Sequence, residues 1–153
     1  MKINYQTSYA TLYIDHDSHI GHLEWNGIIP SASYRETMLH VLEVIKKHKI
    51  LFGIQDLKKL RPLSPMDMDW MVHEYMPMLL NSPLKKIAIL ESEDSLDTLN
   101  LRDMVYTPYT ELTFRLEYFD DVASALSWFK TPEKQLINLI PSFVQSPSTL
   151  AAT

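Results

Sequence analysis

A group of basic side chains near the middle of the chain has the composition of an anion-binding site. Lys58, Lys59 and Arg61 lie together in one short segment, followed by Ser64 and Pro65. A serine before a proline is typical of the N-cap and first turn of a helix. Because the first N–H groups of a helix are unpaired and attract negative charge, the loop and the helix start predict an anion site. The simpler alternative is a solvated basic loop paired loosely with the acids of residues 91–94.

Two carboxylates stand at the ends of apolar segments. Asp56 follows residues 50–54, whose continuous apolar run predicts a strand buried on both faces, and Glu91 follows a second such strand at residues 86–90. Ligands of open α/β sheets bind outside the carboxyl ends of parallel strands, so both carboxylates belong to the edge where a ligand is expected. A hydrolase acting through the acids near Glu91 is a third hypothesis, but no sequence feature raises their pKa for acid–base catalysis.

Methionines surround Trp70 in the helix predicted after the basic loop. Such side chains fill cores, and they also line adaptable sites for apolar ligands or partners. Adjacent helical positions point about 100° apart, so these methionines cannot all face inward. We expect core packing together with a homodimer contact; the alternative is an apolar-ligand pocket beside Trp70. The methionines are Met66, Met68, Met71, Met76 and Met78. The predicted binding residues are therefore Asp56, Lys58, Lys59, Arg61, Ser64, Met66, Trp70, Met71 and Glu91.

Three histidines spaced by three could hold a metal ion only if their rings converged. His16 and His19 flank a predicted hairpin turn, and His22 projects from the strand beyond it. Zinc needs three or four protein ligands at bonding distance, and a hairpin does not force these three together. The simpler interpretation is a solvated turn, so neither a metal site nor a cofactor is predicted.

The sequence lacks the motifs of nucleophilic catalysis and of phosphate-binding loops. The chain has no cysteine and only three glycines, which leaves no thiol nucleophile and no glycine-rich phosphate loop. No serine stands in a nucleophile-elbow pattern. The sequence therefore predicts a protein that is not an enzyme.

The charge and hydropathy of the chain argue against a nucleic-acid partner and against a membrane span. The net charge is −5. From Glu91 onward the chain is strongly acidic, whereas nucleic-acid binding needs clustered Lys and Arg, so no nucleic-acid partner is expected. No apolar run approaches the ~20 residues of a membrane span. The first residues lack the apolar core of a signal peptide, and we expect a cytoplasmic protein.

The elements that must position these residues alternate along the chain. Residues 10–15 and 20–25 alternate apolar with polar side chains and predict an antiparallel hairpin. Ser31 or Ser33 is expected to cap an amphipathic helix whose inner side holds Tyr34, Met38, Val41, Leu42 and Ile45. Later segments predict strands at 50–54, 86–90 and 113–119, and helices from Ser64, from Ser95 to about Val105, and from Asp120 or Asp121.

The resulting order is β-β-α-β-α-β-α-β-α, an α/β fold with a mostly parallel five-stranded sheet and an antiparallel first strand. We expect residues 1–9 to be an N-terminal extension and residues 10–130 to be the domain. Residues 131–153 are expected to be a tail that docks on the domain or on a partner.

Several short motifs resemble those of the STAS-like proteins, relatives of the anti-anti-sigma factors, and specifically a small stand-alone bacterial branch of unknown function. They are Trp25-Asn26-Gly27, Tyr34-Arg35-Glu36, Asp56 at the end of a central strand, the spacing from Ser64 to Trp70, Lys85-Lys86-Ile87-Ala88, and Ala125 with Trp128-Phe129. The resemblance implies a sheet in sequential strand order wound with helices.

In the anti-anti-sigma relatives, a serine directly after the central aspartate is phosphorylated by a partner kinase. Here Asp56 is followed by Leu57 and Lys58, and the next hydroxyl is that of Ser64. The resemblance therefore implies a regulatory or protein-interaction module, partnered by a second copy or an unknown protein, without that phosphorylation switch. Some relatives are likened to lipid-binding domains, which makes a small apolar-ligand or lipid-binding protein the alternative function.

Overall fold

The computed structural model describes residues 1–91 and 112–132. The strands are β1 (Lys2–Gln6), β2 (Ala10–Asp15), β3 (Ile20–Trp25), β4 (Phe52–Asp56), β5 (Lys86–Leu90) and β6 (Arg115–Phe119). The helices are α1 (Ser31–His48), α2 (Pro65–Trp70), a π-helical turn (Met71–Tyr75), α3 (Met76–Leu80) and α4 (Val122–Phe129). The predicted helix from Ser95 and nearly all of the predicted tail lie outside the described residues.

The strands form one mixed sheet in sequential order, β1-β2-β3-β4-β5-β6. β1 and β2 pair antiparallel, as do β2 and β3, whereas β3 to β6 run parallel. The predicted α/β class, the antiparallel start and the parallel remainder are confirmed.

The predicted five-stranded sheet is wrong by one strand, because β1 lies within the segment expected to be an extension. It is an edge strand, and only Tyr5 of its five residues is even half-buried. The Tyr5 ring stacks on His40 of α1 with centroids 4.2 Å apart. An exposed edge strand lacks the clear apolar alternation that reveals a half-buried one, which is why the pattern was missed.

The strand predicted at residues 50–54 is shifted, since β4 starts at Phe52 and ends at Asp56. The backbone N–H groups of Leu51 and Phe52 both donate to the carbonyl of His19, at the entry to the sheet. Ile50 is buried although it precedes the strand. Within the apolar run, Ile50 and Ile54 are buried and the other three residues are partly buried, so the strand is less buried than predicted. The polar residues Gln55 and Asp56 form the carboxyl end of β4.

Helix α1 begins differently from the prediction. Its N-cap is Pro30, and no side chain there accepts a capping hydrogen bond. The expected serine caps are wrong because the Ser31 hydroxyl instead donates to the Asp67 carboxylate. The predicted inner face is confirmed, with Tyr34, Met38, Val41, Leu42 and Ile45 all buried.

The methionine-rich segment is one helical stretch divided by a π-helical turn. Ser64 is its N-cap, and the Ser64 hydroxyl accepts from the backbone N–H of Asp67, as the sequence predicts. Pro77 lies within α3 and has no N–H to donate to the turn before it. A π-helical turn ahead of this proline rearranges the local ladder of hydrogen bonds.

Helices cover both faces of the sheet. On one face, α1 and the α2–α3 segment pack on side chains such as Leu12, Leu23, Ile87 and Leu116. On the other face, α4 packs Ala125 and Phe129 against Ile54 and Leu90. Of the two predicted caps, Asp120 and Asp121, it is Asp121 that caps α4, by accepting from the backbone N–H of Ser124. No helix within residues 1–91 and 112–132 is long and apolar enough to cross a membrane.

Candidate functional site

Two glycines lie side by side in the middle of the sheet and leave a space beneath the helices. Gly21 of β3 and Gly53 of β4 are register partners. Both line a cavity of about 120 Å³ between the sheet and the helical layer. A Cβ atom built on Gly53 would lie 3.8 Å from the nearest side-chain atom, Leu84 Cδ2, which is ordinary contact distance. The cavity therefore exists because two neighbouring strands lack side chains at the same level.

The lining of this cavity is almost entirely apolar. Its polar members are Gln55, Tyr34 and Tyr75. The Gln55 amide oxygen accepts from the indole N–H of Trp25 at 3.0 Å. Burial raises the pKa of Tyr34 and of Tyr75 well above the usual range, so both phenols stay neutral. An uncharged cavity of this kind suits an apolar guest.

The methionines divide between the core and the surface. Met68, Met71 and Met76 line the cavity, and Met66 is 74% exposed. The prediction that the five cannot all face inward is confirmed. The more exposed lining residues, which include Pro62 and Leu63, place the approach from solvent at the loop before α2.

Trp70 is half-buried and lies beside the cavity, although it is not part of the lining. Its ring contacts Tyr34 and Tyr75 at centroid distances of 6.0 and 5.5 Å, and the Arg35 guanidinium lies 5.3 Å from its centre. Arg35 also pairs with Asp67, with 3.3 Å between Nε and Oδ1. The sequence does not predict this cluster, because the buried aspartate in the first turn of α2 gives no local signal for a partner on α1.

A second, polar cleft of about 450 Å³ lies at the carboxyl ends of β3 and β4. Glu24 and Asp56, register partners on these strands, face it together with Lys58 and Lys59. Lys58 Nζ lies 3.7 Å from Asp56 Oδ2. The rest of the lining is mainly polar: Gln6, Thr7, Ser8, Thr11 and Asn26, with Ala10 and Trp25.

The sequence and the fold of the chain were compared with those of known proteins. No protein-family model matches the chain, and no curated protein matches it. Among solved structures, the chain is similar to an uncharacterised DUF3478-family protein with a SpoIIAA-like fold from Shewanella loihica PV-4. The TM-score is 0.54 and the identity 14%, over 84% of this chain and 99% of that chain. The present chain has a SpoIIAA-like fold. This confirms the STAS-like resemblance at the level of fold.

In this SpoIIAA-like fold, the residues of the expected anion site separate. Lys58 and Lys59 border the cleft beside Asp56, whereas Arg61 and Ser64 are not among its lining residues. The Arg61 backbone N–H donates to the carbonyl of Gly27, and Ser64 caps α2. Two lysines and an aspartate thus meet at the edge predicted for a ligand.

Glu91 lies at the end of β5 in the same fold. One of its carboxylate oxygens, Oε2, is buried and has no hydrogen-bond partner among the described residues. Desolvation raises the pKa of Glu91, and the nearby Asp120 carboxylate raises it further. Glu91 is not among the residues lining the cavity or the cleft.

The three hairpin histidines have different surroundings. His16 contacts the ring of His48 at 4.8 Å, and His19 Nδ1 lies 3.2 Å from the carbonyl of Lys49. His22 is buried, on the sheet face that carries Glu24 and Asp56. Burial lowers the pKa of His22, an effect that Glu24 and Asp56 oppose and Lys58 reinforces. The spacing of three therefore brings no histidine triad together.

Proposed function

We propose that this SpoIIAA-like protein is a non-enzymatic binding module that takes up one small apolar molecule in its core cavity. The observation that carries the proposal is the cavity of about 120 Å³ above Gly21 and Gly53. Well-packed cores hold few voids larger than a water molecule. An empty apolar cavity of about 150 Å³ binds benzene or xenon, so a guest of roughly that size fits, whereas a lipid needs more room.

Filling the cavity from the sheet side tests this function. Gly53→Val adds three carbon atoms, the first of which would lie at ordinary contact distance from Leu84. Ala32→Val, on the exposed start of α1, adds apolar atoms outside the cavity and is the matched control. Benzene should raise the Tm of the wild type and of Ala32→Val, because a ligand that binds only the folded state stabilises it. The Tm of Gly53→Val should not respond.

An equal benzene effect in both variants, or none in the wild type, would contradict the proposal. Native mass spectrometry of protein purified without denaturation should also show a small bound molecule on the wild type and less of it on Gly53→Val. The far-UV circular dichroism of both variants verifies that they fold.

A second candidate is the protein-interaction module, assembled as a homodimer. Ile28 is 78% exposed and Met66 is 74% exposed. The segments that carry them lie close together, because the Gly27 carbonyl accepts from the Arg61 N–H and the Ser31 hydroxyl donates to Asp67. Light scattering should then give a dimer mass for the wild type and a monomer mass for Met66→Lys. A monomeric wild type at micromolar concentration would end this proposal.

A further inference from the structure

Within the described part of the chain, His22 is a buried side chain with an unsatisfied hydrogen-bonding atom. The residue is 8% exposed, and its Nε2 atom is buried without a hydrogen-bond partner among the described residues. The nearest acid oxygen, Glu24 Oε1, is 3.8 Å away, which is too far for a hydrogen bond. A buried nitrogen of this kind costs free energy unless something binds it.

The sheet places two carboxylates at this nitrogen. His22 and Glu24 are two residues apart on β3 and so project from the same face. Asp56 is the register partner of Glu24 on parallel β4. Like charges directly opposite on neighbouring strands repel and destabilise the pair. Lys58, 3.7 Å from Asp56, supplies one positive charge against these two negative charges.

The geometry points to a binding site for one divalent transition-metal ion held by His22 Nε2, Glu24 and Asp56. One ligand atom from each residue lies within 4.8 Å of the other two. Zinc binds nitrogen and carboxylate oxygen at about 2.0–2.2 Å, so two ligand atoms on one ion are at most about 4.4 Å apart, and closer in a tetrahedral site. Small rotations of the Glu24 side chain, which is 45% exposed, and of the Asp56 side chain close this difference.

The donor set defines the class of ion. Imidazole selects zinc, iron, nickel and copper over magnesium and calcium, and two carboxylates balance the charge of a divalent ion. Glu24 and Asp56 also line the polar cleft, which gives the ion a path from solvent and leaves its outer side open to water or an anion. The site is separate from the apolar cavity, whose lining includes none of the three residues.

Substitutions of Lys58 and of the proposed ligands should change the metal affinity in opposite directions. Its ammonium competes with a cation for Asp56, so Lys58→Met should tighten metal binding. The expected gain is at least about fivefold, which is the effect of removing one unit charge at about 4 Å from another in a water-like dielectric, and the ion carries two charges. His22→Gln, Glu24→Gln and Asp56→Asn should each weaken binding by about tenfold or more, since loss of a group that only hydrogen-bonds to a metal ligand already costs about 10–100-fold.

Zinc is the probe, titrated into chelator-treated full-length protein by calorimetry, and His16→Gln is the matched control for an exposed histidine. We expect one zinc per chain, unchanged affinity in His16→Gln, and opposite shifts for Lys58→Met and the ligand variants. Cobalt gives the second readout, because its visible absorption should lose intensity in His22→Gln.

Equal weakening by His16→Gln, unchanged affinity in the ligand variants, or no stoichiometric binding would overturn the inference. Circular dichroism without metal establishes that each variant folds. If His22→Gln unfolds, the zinc affinity of Asp56→Asn is the test. This conservative substitution keeps an oxygen acceptor for the Lys58 backbone N–H.

Discussion

Arg35 joins two helices through a single side chain. From α1 it pairs with Asp67 and lies over the ring of Trp70, both on α2. Asp67 is 2% exposed and also accepts from the Ser31 hydroxyl. A buried carboxylate needs such partners, because an unpaired charge away from water is costly. This network holds the α2 wall of the cavity against α1.

Replacing Arg35 with methionine keeps an apolar stem of similar length and removes the charge. We expect Arg35→Met to lower the free energy of unfolding by about 1–3 kcal/mol, because Asp67 loses one of its donors. Arg61→Met is the matched control, since Arg61 is exposed and such substitutions usually lie within about 0.5 kcal/mol of neutral. Urea unfolding of both variants measures the difference, and equal losses would show that the pair contributes nothing specific.

Helix α4 is held to the sheet at its C-terminal end by a buried lysine. Lys86 of β5 is 3% exposed, and its ammonium donates to the carbonyls of Trp128 and Thr131 at 2.8 and 2.7 Å. It also lies 5.2 Å from the centre of the Trp128 ring. The last carbonyls of a helix lack partners within the helix and carry partial negative charge, so a cation there stabilises the end.

Substituting Lys86 tests this attachment of α4. Lys86→Met should reduce stability by about 1–3 kcal/mol, because the carbonyl of Thr131 loses a charged donor within a buried contact. Lys85→Met, one residue earlier and exposed, should change stability by less than about 0.5 kcal/mol. Thermal unfolding with the tryptophan fluorescence of the chain as signal gives both values. A Lys86→Met protein as stable as the wild type would contradict the role given to this lysine.

At the scale of the whole molecule, one sheet separates the two candidate binding sites. The face covered by α1 and the α2–α3 segment carries the apolar cavity. The face toward α4 carries His22 and the paired carboxylates near the sheet edge. Strand alternation produces this division, because neighbouring residues of β3, such as His22 and Leu23, project to opposite faces.

Local sequence patterns were enough for the elements that have a strong period or a specific cap. The inner face of α1, the Ser64 and Asp121 caps, and the strand at residues 86–90 were all predicted, since each depends on residues close together in the chain. The edge strand β1 and the serine caps of α1 were mispredicted. β1 is hard to recognise because its exposed residues lack apolar alternation, although its partner β2 follows directly in the chain. The start of α1 depends on the bond from Ser31 to Asp67, 36 residues later in the chain.

The candidate sites also depend on tertiary contacts that local sequence patterns do not predict. The sequence alone determined the α/β class and that the methionines of the α2–α3 segment cannot all face inward, and its resemblance to STAS-like proteins implied the sequential strand order. Only the tertiary structure paired Gly21 with Gly53 to open a cavity, and Glu24 with Asp56 beside His22. The physical reason is register: periodicity tells which face a residue occupies, but strand pairing decides which residue of another strand lies next to it.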